Sequence, residues 1–157
     1  MEVVSTWEQR TAACFHESGH AVVAHRLGVP VTFASVDDVD GSGAVNTPMS
    51  SARTDIQVRL AGPAAEGRYC ELVRATRREW ALRRVQCDED KVTAFRKATA
   101  ECGGDPHQGK ALIDQLQSQA EAELARSWCR VARFADALAR EGKLTGPTLD
   151  EILNGEV

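Results

Sequence analysis

The run Phe15-His16-Glu17-Ser18-Gly19-His20-Ala21-Val22-Val23 constrains this chain more than any other stretch, because it holds the pattern H-E-x-x-H. On a helix, residues four apart lie about 40° apart around the axis and about 6 Å along it. His16 and His20 can therefore aim two imidazole nitrogens at one Zn²⁺. Glu17 stands on the neighbouring flank, placed to take a proton from a zinc-activated water. The pattern works only on a helix, and residues 6–27 read as one. Ser5 or Thr6 can cap it, Glu8 suits its first turn, and Gly28 followed by Pro30 ends it. Ala13, Val23 and Leu27 share the histidine face, so both imidazoles project from an apolar stripe. A pair of hydrogen-bonded core histidines with Glu17 in solvent would leave the spacing of all three unexplained.

A chain of 157 residues is long enough for one domain, 1–157, with a real core. A net charge of −4 and a pI near 5.6 argue against a general nucleic-acid or membrane-surface binder. The basic cluster Arg74, Arg77, Arg78, Arg83 and Arg84 is a local exception that reads best as a solvated helix face or a tether to an acidic neighbour. No apolar run approaches the length of about 20 residues that spans a bilayer, and the N-terminus has no signal-peptide pattern. The expected location is the cytoplasm. Cys14, Cys70, Cys87, Cys102 and Cys129 are odd in number, scattered, and never form C-x-x-C, as suits reduced thiols.

The expected fold is mostly α (α+β), with a small β-hairpin beside the H-E-x-x-H helix. Val31-Thr32-Phe33-Ala34-Ser35-Val36 is β-branched and reads as a strand, and Gly43-Ala44-Val45-Asn46-Thr47 as its partner across a turn. Gly43, Ala44 and Val45 would offer a strand edge to an extended peptide, or the hairpin would be purely structural; the sequence favours neither. A second helix is expected over 50–71, kinked or interrupted by Pro63, and a third over 88–102, begun by Asp88-Glu89-Asp90. Gly103-Gly104-Asp105-Pro106 breaks the chain. One long helix should follow over 110–140, and after Gly142 a short docked helix over 148–153.

A catalytic zinc site wants three protein ligands and an open position. The extended metzincin pattern is excluded, because Val23 and Arg26 occupy the places of its glycine and third histidine. His25 falls about 140° around the helix from His20, away from the metal. The third ligand must come from another segment: Glu66 or Glu71, Asp88 or Asp90, or His107.

The stretch from Thr11 to Ala24, T-A-A-C-F-H-E-S-G-H-A-V-V-A, resembles the active-site helix of the FtsH-type (M41) zinc peptidases. Leu60-Ala61-Gly62-Pro63-Ala64-Ala65-Glu66 resembles that family's L-G-G-R-A-A-E helix, and Glu89-Asp90-Lys91-Val92-Thr93-Ala94-Phe95 its N-D-[IL]-x-x-A-T segment. The tail from Phe134 to Gly146 resembles its A-L-L-E-x-E-T-L-x-G ending. The resemblance implies a helical zincin-like peptidase domain holding one Zn²⁺ per chain by His16, His20 and Asp90, with Asp88 as the fallback ligand. It also implies a supporting acidic role for Glu66. Ser18 replaces the family's alanine, and Pro63 its arginine. The chain has no G-x-x-x-x-G-K-[ST] motif, so the resemblance implies a free-standing, ATP-independent form acting on flexible or unfolded polypeptides. Two other functions compete with this zinc endopeptidase. One is a zinc-containing binding or adaptor module without hydrolysis; the other is a nucleic-acid accessory protein resting only on the arginine cluster.

Overall fold

The structure is a computed structural model that describes residues 6–37, 43–48, 50–73 and 77–155, the side chains of 6–8 and 77–86 excepted. Six helices and three short strands follow one another in these residues: α1 (Thr6–Arg26), β1 (Phe33–Val36), β2 (Gly43–Asn46), α2 (Ala52–Leu72), α3 (Arg77–Glu101), α4 (Pro106–Arg126), α5 (Trp128–Glu141), β3 (Lys143–Thr145) and α6 (Gly146–Asn154). The chain is mostly α with one small antiparallel sheet, ordered β2-β1-β3. Among the described residues, no helix is long and apolar enough to cross a membrane.

Helix α1 is the centre of the domain. Ala12, Ala13, Cys14, Ala21, Val22, Val23 and Ala24 are all buried, so the helix is enclosed on most sides rather than lying on a surface by one stripe. It packs against α2 and α5 and is bordered by β1 and β2. The close approach to α2 depends on small residues: a Cβ on Gly19 would lie 2.6 Å from the Cβ of Ala65. The larger core joins α1 to Leu124, Val131, Phe134, Leu138, Leu144 and Leu149. A smaller one joins α2, α3 and α4 through Ile56, Leu60, Ala94, Ala98, Leu112 and Leu116. At the end of α1, Gly28 donates to the His25 carbonyl and Val29 to that of Ala24, a paired capping pattern that closes the helix.

Several boundaries differ from the sequence expectation. Helix α2 begins at Ala52, where the Ser51 hydroxyl accepts from the Thr54 amide, and runs unbroken through the buried Pro63. The proline removes one backbone bond at a cost of about 3 kcal/mol. Burial of Ile56, Leu60, Ala61 and Ala65 on the same helix outweighs it. Helix α3 begins at Arg77, so Asp88, Glu89 and Asp90 sit in its middle rather than at its start. The segment ahead of them is rich in Arg, Glu, Ala and Leu, which carry a helix well. Of the basic cluster, Arg74 and the side chains of Arg77, Arg78, Arg83 and Arg84 lie outside the described residues.

The long fourth helix is two helices, divided at Ser127. The division turns α5 onto α1, and Trp128 stacks on Phe15 with ring centroids 5.6 Å apart. Gly142 ends α5 with φ at +73°, a left-handed residue that costs glycine nothing, and its carbonyl accepts from the Val36 amide. The chain then enters β3, which pairs with β1 in the register Phe33↔Thr145 and Ala34↔Leu144. A three-residue strand has no periodicity to read; β1 supplies its partner, so it forms only in the folded chain.

Candidate metal centre

Three elements and one strand enclose the site. His16 and His20 come from α1, Asp90 from α3, and Gly62 of α2 lies beneath them. A Cβ on Gly62 would strike the His20 Nε2 and Cε1 atoms and come within 2.9 Å of His16 Nε2. The two imidazoles thus occupy the space that any other residue at position 62 would fill. Their rings meet edge to face, with centroids 4.7 Å apart.

Each imidazole has one nitrogen committed away from the centre. His16 Nδ1 lies 2.8 Å from Glu66 Oε2, and His20 Nδ1 donates to the Val58 carbonyl at 2.7 Å. Both Nε2 atoms therefore face the same point, where Asp90 Oδ2 lies 2.8 Å from His16 Nε2 and 3.2 Å from His20 Nε2. These separations approach the spacing of about 3.3 Å between donors around one tetrahedral zinc. Two imidazoles and one carboxylate oxygen, each within 4.8 Å of the others, are a donor set that suits Zn²⁺.

As it stands, His16 has a carboxylate at both nitrogens, and a neutral ring can donate from only one. Burial disfavours the charged ring, but the bonds to Asp90, Cys87 and Glu66 outweigh it and raise the His16 pKa well above its ordinary value. Burial likewise works against an ionised Asp90. The hydrogen bonds from His16 and His20 prevail and hold its carboxyl far below the usual range. The proton between His16 and Asp90 is what a cation would displace.

A cavity of about 250 Å³ opens onto this centre. Glu17 lines it, buried to 2% exposure, and so do Gly43, Ala44 and Val45 of β2. Strand β2 is at the sheet edge, with β1 on its one paired side. Gly43 passes directly over Glu17: a Cβ there would lie 2.6 Å from Glu17 Oε1. Asp55, Arg59, Thr47 and Glu89 complete the rim. Arg59 and Lys97 both hold Asp55, at 3.0 and 2.6 Å. Burial acts to raise the Asp55 pKa, and these two cations lower it overall.

The other sequence candidates stand apart. Asp88 is exposed on α3 and belongs to no metal-capable group among the described residues; Glu71 and His107 are exposed on α2 and α4. His25 is half-buried near Arg26 and Arg130. Cys87 was not foreseen. Its Sγ lies 3.2 Å from Glu66 Oε2 and 3.8 Å from His16 Nδ1, and burial pushes its thiol up from the ordinary pKa. It precedes Asp90 by one helical turn, so a helix carrying Asp90 into the site carries Cys87 with it. Gly62 likewise lies one turn before Glu66. No protein-family model matches this chain, and no curated protein matches it.

Proposed function

We propose that the chain is a zinc-dependent, ATP-independent endopeptidase, zincin-like in fold and similar to the FtsH-type (M41) peptidases, acting on flexible or unfolded polypeptides in the cytoplasm. The observation that carries this reading is the convergence of His16 Nε2, His20 Nε2 and Asp90 Oδ2 at the cavity that Glu17 also lines. His16, His20 and Asp90 would hold the ion. When bound, zinc supplies Lewis acidity toward a water and the scissile carbonyl.

The remaining work falls to the protein. Glu66 and the Val58 carbonyl fix the two imidazoles with Nε2 toward the ion, which also strengthens them as ligands. Glu17 takes the proton of the attacking water and returns it to the leaving amine. Its burial beneath Gly43 keeps bulk solvent from the carboxylate. The edge of β2 receives the substrate as an added strand, a recognition that reads main chain rather than sequence and therefore requires an extended polypeptide.

The same close cover of Glu17 by Gly43 supports the competing function, a zinc-holding binding module whose carboxylate never reaches a water. Metal content measured beside casein hydrolysis separates the two, for wild type, Glu17→Gln and Asp90→Ala, with and without chelator. The peptidase requires about one zinc per chain, with hydrolysis lost on chelation and in Glu17→Gln while that variant keeps its metal. Zinc without turnover would leave the binding module, and absence of zinc would end both.

A further inference from the structure

A second cavity, of about 300 Å³, lies where α1 and α4 end and α5 begins, and is lined by Arg26, Arg126, Ser127, Cys129 and Arg130. Its size is at the lower end of the range for small-molecule sites. The charged side chains of this lining are three guanidinium groups, and no carboxylate is among them. We propose that this cavity is a binding site for a phosphate group, carried by orthophosphate or by a small phosphomonoester.

Arg26 and Arg126 have an obvious structural use. Each closes a helix, where a cation complements the partial negative charge, and both hold Glu123, at 3.2 and 2.7 Å. That use does not extend to Arg130. It stands in the first turn of α5, the end where a cation opposes the helix dipole. One terminal nitrogen donates to the Gly155 carbonyl at 2.7 Å, and its buried Nε has no acceptor among the described residues. Its guanidinium also has no carboxylate partner among the described residues, so this third cation beside the cavity is left without a counter-ion.

Two further observations agree. The Ser127 hydroxyl makes no capping bond to α5, although it stands at the helix start and lines the cavity. The neighbouring His25 has its pKa lowered, first by burial and then by the charges of Arg130 and Arg26, against a smaller opposing pull from Asp150. Even with Glu123 and the nearby Asp150 set against the three guanidinium charges, the cavity keeps a positive surplus. A tetrahedral dianion matches it: its oxygens can accept from guanidinium nitrogens that Gly155 and Glu123 leave unbound, and from the Ser127 hydroxyl.

The test is a titration of the whole chain with orthophosphate and, separately, with phenyl phosphate, at constant ionic strength in a buffer without phosphate. Binding is read by calorimetry and by the imidazole resonances of His25. The expected result is saturable binding with a rise in the His25 titration midpoint, absent with chloride, and about tenfold weaker in Arg130→Gln. Arg140→Gln, which alters an exposed pair with Asp136 elsewhere on α5, should bind like wild type. Tighter binding of phenyl phosphate would identify an organic ester as the ligand class, and preference for orthophosphate the free ion. Equal, unsaturable responses to chloride and phosphate would overturn the proposal, as would undiminished binding by a folded Arg130→Gln protein. So would saturable binding that appears only in Glu156→Gln, because the carboxylate that follows Gly155 in sequence would then be the natural occupant.

Discussion

Glu66 holds His16 by the nitrogen that faces away from the proposed metal, with Nδ1 and Oε2 2.8 Å apart and both side chains almost fully buried. The carboxylate thus decides which imidazole nitrogen is left for an ion, without being a ligand itself. Glu66→Ala should weaken zinc binding by about 10- to 100-fold while His16, His20 and Asp90 all remain. Competition against a chromophoric chelator measures it, and unchanged affinity would remove Glu66 from the centre.

Zinc binding should tighten as pH rises. His16 must lose its proton before Nε2 can bind a cation, and its pKa is raised well above the ordinary value. Below that raised value, each pH unit should improve affinity by up to about tenfold. Zinc titrations at three pH values between about 6 and 8 give the slope, and a flat profile would show that no proton is displaced.

The metal-free protein should behave in the opposite sense. A raised His16 pKa adds stability below about pH 6.5, which is lost as pH rises through the folded value. The depressed Asp90 pKa adds stability above about pH 3.9, which is lost as pH falls through its own folded value. The pair therefore stabilises the metal-free fold most between about pH 4 and 6.5. The melting temperature of chelated protein should fall from pH 6 toward alkaline pH, and Asp90→Asn should flatten that decline.

Gly62→Ala is a test of opposite signs. Alanine inside a helix ordinarily stabilises by up to about 1 kcal/mol relative to glycine. Here the new Cβ collides with the His20 ring, so destabilisation of about 1–3 kcal/mol and loss of zinc affinity are expected. Thermal unfolding with and without zinc separates the two effects. A more stable variant with normal zinc content would mean that the imidazoles do not need this space.

Gly43→Ala should leave zinc in place and lower hydrolysis about tenfold or more, because its Cβ falls on the Glu17 carboxylate rather than on a ligand. Retained zinc with full turnover would show that β2 yields easily, and lost zinc would show that the strand supports the ligands too.

His16, Glu17 and His20 were legible because one turn of one helix holds all three, and helical spacing alone brings them together. The helix itself was legible from its ends, at Gly28 above all. Hairpin strands β1 and β2 were visible in their β-branched and glycine-flanked runs, to within two residues. The start of α3, the division at Ser127 and the strand β3 were not, since each depends on a partner elsewhere in the chain. Helix propensity carries no record of where Trp128 must dock, and Lys143-Leu144-Thr145 is a strand only because β1 offers it an edge.

The centre divides along the same line. Local order decided that two imidazoles and a carboxylate share one helical turn. Asp90, 74 residues beyond His16, reaches them only through the packing of α1, α2 and α3, and the same packing brings Glu66 to Nδ1 and sets both imidazoles over Gly62. A family resemblance named Asp90 and Glu66 ahead of the fold, whereas spacing alone left five candidates open. Contacts between distant segments have no period in the sequence: they follow from how faces of different helices bury one another, and that balance exists only in the folded chain.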